Sequence, residues 1–104
     1  MATQNLLEIN CKLGKLINIT VEHWDYIRNV KHLEVNGLDN EIKEALIDPI
    51  EIKRSNSDKN VFLYYSVHKT NYLCVVARHL NRSGFIITVY ITDKIKKGKT
   101  IWTQ

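Results

Sequence analysis

Asn71-Tyr-Leu-Cys-Val-Val-Ala-Arg-His-Leu80, Asn81-Arg-Ser-Gly84 and Phe85-Ile-Ile-Thr-Val-Tyr-Ile-Thr92 decide the fold. Two apolar runs flank a turn rich in Asn, Ser and Gly, which is the pattern of a β-hairpin. Residues two apart along a strand share a face. Phe85, Ile87, Val89 and Ile91 are therefore expected on a buried face, with Ile86, Thr88, Tyr90 and Thr92 on the other. A face kept only for solubility would more often carry Lys and Glu. In the first strand Tyr72, Cys74, Val76 and Arg78 share a face. If that face is continuous with Thr88 and Tyr90, a guanidinium stands beside hydroxyls on a rigid sheet, an arrangement suited to phosphate.

Upstream of the hairpin the same period continues. Val61-Phe-Leu-Tyr-Tyr-Ser-Val67 reads as a strand, and so does Ile50-Glu-Ile-Lys-Arg54, with Ile50, Ile52 and Arg54 on one face. Polar turns at Ser55–Asn60 and His68–Asn71 separate them. Four strands joined by short turns predict an antiparallel meander. Further upstream the period changes to that of helices. Thr20 is a good N-cap for Val21–Lys31, whose residues His23, Trp24, Tyr26, Ile27 and Val30 gather on one side. A second helix runs from about Leu38 or Asp39 through Ile47, with Ile42, Ala45 and Leu46 as its stripe, and Pro49 ends it. Leu6–Ile19, with Gly14 between two short apolar pieces, reads as a strand or a hairpin. The expected class is α+β: one or two N-terminal helices packed on a twisted four-stranded antiparallel sheet. The chain reads as a single domain over 1–104. An arm or short hairpin spans 1–19, the helices 20–48, the sheet 50–92 and a basic tail 93–104.

The 104 residues suit one domain, and 44% apolar content is ordinary for a globular fold. No apolar run approaches a membrane span and no secretory leader pattern is seen, so a cytoplasmic protein is expected. The net charge of +4 conceals an asymmetry. Residues 1–52 hold 5 Lys/Arg against 9 Asp/Glu, while residues 53–104 hold 10 against 2. The strand-rich half is the basic one, which favours a polyanion partner on the sheet side.

Cys11 and Cys74 form no metal-type pair, and the four histidines, His23, His32, His68 and His79, lack zinc spacing. No Gly-x-Ser-x-Gly and no phosphate-binding glycine loop occurs, so neither metal nor cofactor is expected. What remains is metal-free chemistry on a phosphodiester. RNA cleavage at its own 2′-hydroxyl needs a base, an acid and donors for the developing negative charge. His32, at the helix exit, is the acid–base candidate, or else a favourable cation at a helix C-terminus. Arg54 and Arg78 are phosphate ligands or snorkelling edge residues, with the ligand reading favoured for Arg78. Thr88 and Tyr90 add donors, or are simply strand formers. His23 falls on the helix's apolar stripe, and Tyr65 either stacks on a base or fills the core. Thr92 and Lys97 complete the expected substrate-binding set.

Trp24-Asp-Tyr-Ile, Val30-Lys-His32-Leu-Glu34, Ile52-Lys-Arg54-Ser55, Leu63-Tyr64-Tyr65, Cys74-Val-Val-Ala-Arg78 and Phe85–Thr92 occur in an order and spacing that resembles small prokaryotic and phage proteins of the barnase–EndoU–colicin–RelE-like nuclease superfamily. The resemblance runs from about Leu16 to Trp102. It implies a RelE/barnase-like fold, metal-independent endoribonuclease activity, and a toxin encoded beside a cognate antitoxin. It places roles on His32, Arg54, Arg78 and Thr88, and further on Tyr90 and Tyr65. Relatives often carry His-Pro-Glu where this chain has His32-Leu33-Glu34, and a histidine where it has Tyr26. The same architecture also serves toxins that act by binding a target, so a non-catalytic RelE/ParE-like toxin or nucleic-acid-binding module is the alternative.

Overall fold

The computed structural model describes residues 5–104. The strands are β1 (Asn5–Asn10), β2 (Leu16–Thr20), β3 (Glu51–Arg54), β4 (Val61–His68), β5 (Asn71–His79), β6 (Ser83–Thr92) and β7 (Lys99–Thr103). They form one seven-stranded sheet in the order β1-β2-β6-β5-β4-β3-β7. The four expected strands are its centre, each antiparallel to the next. The expectation of a four-stranded antiparallel sheet is nevertheless wrong. β1 and β2 extend the sheet on one side, with β2 parallel to β6. On the other side β7, expected as a tail, pairs with β3. The sheet is therefore mixed, and the RelE/barnase-like expectation falls with it. A parallel pair between residues more than sixty positions apart has no local signature, because its hydrogen bonds are made only after the chain has folded back.

The first helix is shorter than its sequence pattern suggests. The Thr20 hydroxyl accepts from the His23 N–H at 3.2 Å and caps α1 (Val21–Tyr26). The chain then widens into a π-helical turn (Ile27–Lys31) and a 3-10 turn (Leu33–Val35). Only Trp24 and Ile27 of the expected stripe are buried. Tyr26, about 200° around the helix from Trp24, is exposed, and so is Val30 inside the wider turn. α2 (Asp39–Ile47) buries Ile42, Ala45 and Leu46 as expected.

Helices cover one face of the sheet, and the main core lies between the two layers. It also contains a polar chain. The Tyr64 hydroxyl lies 2.7 Å from His79 Nε2 and 3.0 Å from Cys11 Sγ. His79 is buried at the end of β5 and stacks on Phe62 with ring centroids 4.0 Å apart. Burial, with nearby Lys15 adding to it, pushes its pKa down to about 4, so the ring is neutral at pH 7 and hydrogen-bonds the Tyr64 hydroxyl through Nε2. Burial, reinforced by Cys11, raises the Tyr64 phenol well above its ordinary value.

The second face is crossed by a strap. The segment 93–98 must lead from the end of β6 to β7, passing β5, β4 and β3. Four strand spacings amount to about 19 Å. Six residues with their flanking bonds reach only about 23 Å. The strap is therefore nearly extended and lies flat. Ile95 packs with Tyr72, Val76 and Tyr90, and the Lys96 N–H donates to the Tyr65 hydroxyl at 3.1 Å. Among the described residues no helix is long and apolar enough to cross a membrane.

Candidate functional site

The site rests on an irregularity in β6. Val76 pairs with Thr88 but Ala77 pairs with Ile86, so Ile87 is an extra residue, a β-bulge. The bulge reverses the face of everything before it. Ile86, Val89 and Ile91 point to the helix-side core, whereas Phe85, expected to be buried, is on the second face and 40% exposed. Thr88, Tyr90 and Thr92 share that face with Tyr72, Cys74, Val76 and Arg78, as the register Tyr72↔Thr92, Cys74↔Tyr90 and Val76↔Thr88 requires. His23 closes the bulge: its Nε2 lies 2.7 Å from the Ile87 carbonyl and donates to it. Past Phe85, β2 no longer pairs with β6, so His23 satisfies an acceptor that would otherwise lie on an open edge.

Between the strap and the β3–β4 connection lies a cleft of about 400 Å³. Its floor is Val61, Leu63, Val76 and Thr88, with Tyr90 at one end. Lys53 from β3 and Lys96 and Lys97 from the strap supply its cations, and Ser55, Asn56 and Ser57 its polar rim. Lys53 Nζ donates to Thr100 Oγ1 at 2.9 Å and lies 3.2 Å from Glu51 Oε2. Asn56 Nδ2 donates to the Lys97 carbonyl at 3.3 Å, which joins rim to strap. Lys96 Nζ sits 5.7 Å from the Tyr90 ring centroid.

Two hydroxyls in this cleft are buried: Thr88 Oγ1 has no hydrogen-bond partner among the described residues, and Tyr90 Oη makes no hydrogen bond of ordinary geometry, although Cys74 and Tyr65 lie close to it. Such a group ordinarily costs stability, and natural proteins keep few of them. Burial, then the neighbouring Cys74 and Tyr65, raises the Tyr90 phenol well above its usual value. Tyr90 therefore stays protonated and can donate. The same burial raises Tyr65 to about 12 and Cys74 to about 11, which leaves the thiol un-ionised and unreactive at neutral pH. His32 stands beside this cluster, its ring centroid 5.8 Å from that of Tyr90. Its Nδ1 lies 3.4 Å from Glu34 Oε2, which leaves Nε2 as the nitrogen for proton transfer.

The fold thus brings Thr88, Tyr90, Lys97 and, at the margin, His32 together. It does not bring the two arginines to them. Arg54 shares the helix-side face with Ile52 and pairs with Phe62. Arg78 is on the second face but outside the cleft, with Nη1 donating to Asp58 Oδ2 at 2.6 Å. The Asn60 N–H and then Arg78 hold the Asp58 carboxyl below its ordinary value. Two further expectations resolve as structural roles. Thr92 Oγ1 donates to the Lys94 carbonyl in the turn after β6, and Tyr65 is fully buried beneath the strap. Sequence reading missed Lys53, Lys96 and the Ser55–Ser57 rim. Lys53 was legible in principle, since alternation in Glu51–Arg54 puts it on the face opposite Ile52. Among the described residues no three His, Cys, Asp or Glu side chains converge as a metal site requires.

No protein-family model, curated protein or solved structure matches this chain.

Proposed function

We propose that the cleft binds an RNA phosphodiester and that the protein is a metal-independent endoribonuclease. The observation that carries this reading is the pair of unpartnered buried hydroxyls, Thr88 and Tyr90, in a cleft ringed by Lys53, Lys96 and Lys97. Neutral donors and fixed cations together suit a phosphate whose charge grows in the transition state. His32 Nε2 takes the 2′-proton as the 2′-oxygen attacks phosphorus; the P–O5′ bond breaks to leave a 2′,3′-cyclic phosphate, the departing 5′-oxygen takes a proton from water, and Tyr90, held neutral, donates to a non-bridging phosphoryl oxygen. The lysines replace the arginines in holding the phosphate. A small basic domain with an open cationic cleft suits the toxin of a toxin–antitoxin pair. The basic half of the chain would favour an acidic antitoxin over the cleft.

The test is incubation of purified protein with total RNA in EDTA, alongside His32→Ala and Lys96→Ala. Cleavage by the unsubstituted protein that both variants lose supports the enzyme. A second reading, RNA binding without cleavage, is favoured by one observation: His32 is the single imidazole beside the cleft, and neither arginine joins it. Binding with no cleavage at any protein concentration selects that reading.

A further inference from the structure

The second face does not end at the cleft. Along β6, toward its start, lies a separate apolar groove of about 390 Å³. Phe85 forms its side, with Asn18 and Thr20 of β2, His23, Leu80 of the β5–β6 turn and Ser83 at the start of β6. Phe85 pairs with Asn18 on one side and Arg78 on the other, so it stands on the same face as Thr88. The bulge at Ile87 separates the two positions by three residues, a span of about 10 Å along the strand. The groove is apolar, and cations stand at its β5 side and turn. Arg78 stands across from Phe85, Arg82 is exposed in the adjoining turn, and Lys15 Nζ bonds the Leu80 carbonyl in that turn. Asp58 pairs with Arg78 at 2.6 Å. A large aromatic left 40% exposed on a strand, in an apolar groove with a basic border, matches what a nucleobase and its phosphate require.

We infer that Phe85 is a base-stacking subsite for a single-stranded RNA whose neighbouring phosphate lies in the Thr88–Tyr90 cleft. This rests on the reading of that cleft as an RNA site and adds its substrate class. A duplex keeps its bases stacked on one another and presents none to a phenyl ring. An unpaired strand can turn one base onto Phe85 while its backbone continues along β6. The groove therefore selects single-stranded over double-stranded RNA.

The test uses a fluorescein-labelled 2′-O-methyl octanucleotide, which the protein can bind but not cleave at its own 2′-oxygen. Anisotropy gives Kd for the unsubstituted protein, Phe85→Ala, Phe85→Leu and Phe85→Trp, with thermal melts to confirm folding. The expected result is about a tenfold weaker Kd for Phe85→Ala and for Phe85→Leu, and restoration in Phe85→Trp. A duplex of the same sequence should bind more weakly and show no dependence on residue 85. Phe85→Leu serves where Phe85→Ala unfolds, because it keeps apolar bulk without a ring. Octamer binding within twofold of the unsubstituted value in Phe85→Leu overturns the inference and leaves the cleft reading standing. No octamer binding by the unsubstituted protein overturns both.

Discussion

Thr88→Val removes one of the two unpartnered hydroxyls and keeps the shape of the side chain. A buried hydroxyl without a partner costs about 1–3 kcal/mol relative to a paired or apolar group. Thr88 Oγ1 is buried and no described residue accepts from it or donates to it, so valine should recover at least the lower end of that range. Valine also suits a strand as well as threonine does. Taking about 1 kcal/mol as the gain, Tm should rise by about 4–8 °C for a chain of this size. The same substitution should weaken RNA binding, since the hydroxyl that costs stability is the one proposed to donate to phosphate. Stability and function would then move in opposite directions, as at many binding sites. Thr88→Ser is the control: it keeps the hydroxyl, loses a methyl group worth about 0.8 kcal/mol, and should bind as before at a lower Tm. Calorimetry or a thermal CD melt reads the first quantity and anisotropy the second. A Tm for Thr88→Val equal to or below that of the unsubstituted protein would mean the hydroxyl is already satisfied, and the cleft would lose its main support.

Three other predictions concern separate parts of the molecule. Gly84→Ala should destabilise by about 1–3 kcal/mol in a thermal or urea melt, because the new Cβ would meet the Arg78 carbonyl and lie 2.9 Å from Ile17 Cδ1 where three strands pack. An unaltered melt would show that β2, β6 and β5 are farther apart than described. His79 has a folded pKa lowered to about 4, so the unfolded chain takes up the proton first as pH falls. The stability it contributes is present above about pH 6.5 and should decline between about 6.5 and 4, and His79→Gln should flatten that part of the profile. Arg54→Ala should leave RNA binding within twofold while Lys53→Ala, one residue away on the opposite face, weakens it and reduces its salt dependence. Equal losses in both would place Arg54 in the site after all.

The sequence alone determined the central meander, α2 and the N-cap at Thr20. Each rests on contacts within a few residues: period-two alternation, an apolar stripe at helical spacing, a hydroxyl three positions from its N–H. It also put Tyr72, Cys74, Val76 and Arg78 on one face of their strand and Thr88, Tyr90 and Thr92 on one face of theirs, and the register makes the two faces continuous. Only the tertiary structure decided the rest. The bulge at Ile87 exchanges the faces of Phe85 and Ile86, and strict alternation cannot foresee an inserted residue. β2 and β7 find partners far away in the chain, so their pairing depends on the fold already formed. The arginines illustrate the same limit: Arg54 and Arg78 look alike as strand-end cations, but the pairing of β3 with β4 puts one behind the sheet and Asp58 claims the other. Their place is taken by lysines on a strap whose course is set by where β7 docks, a matter of sheet order that no local pattern encodes.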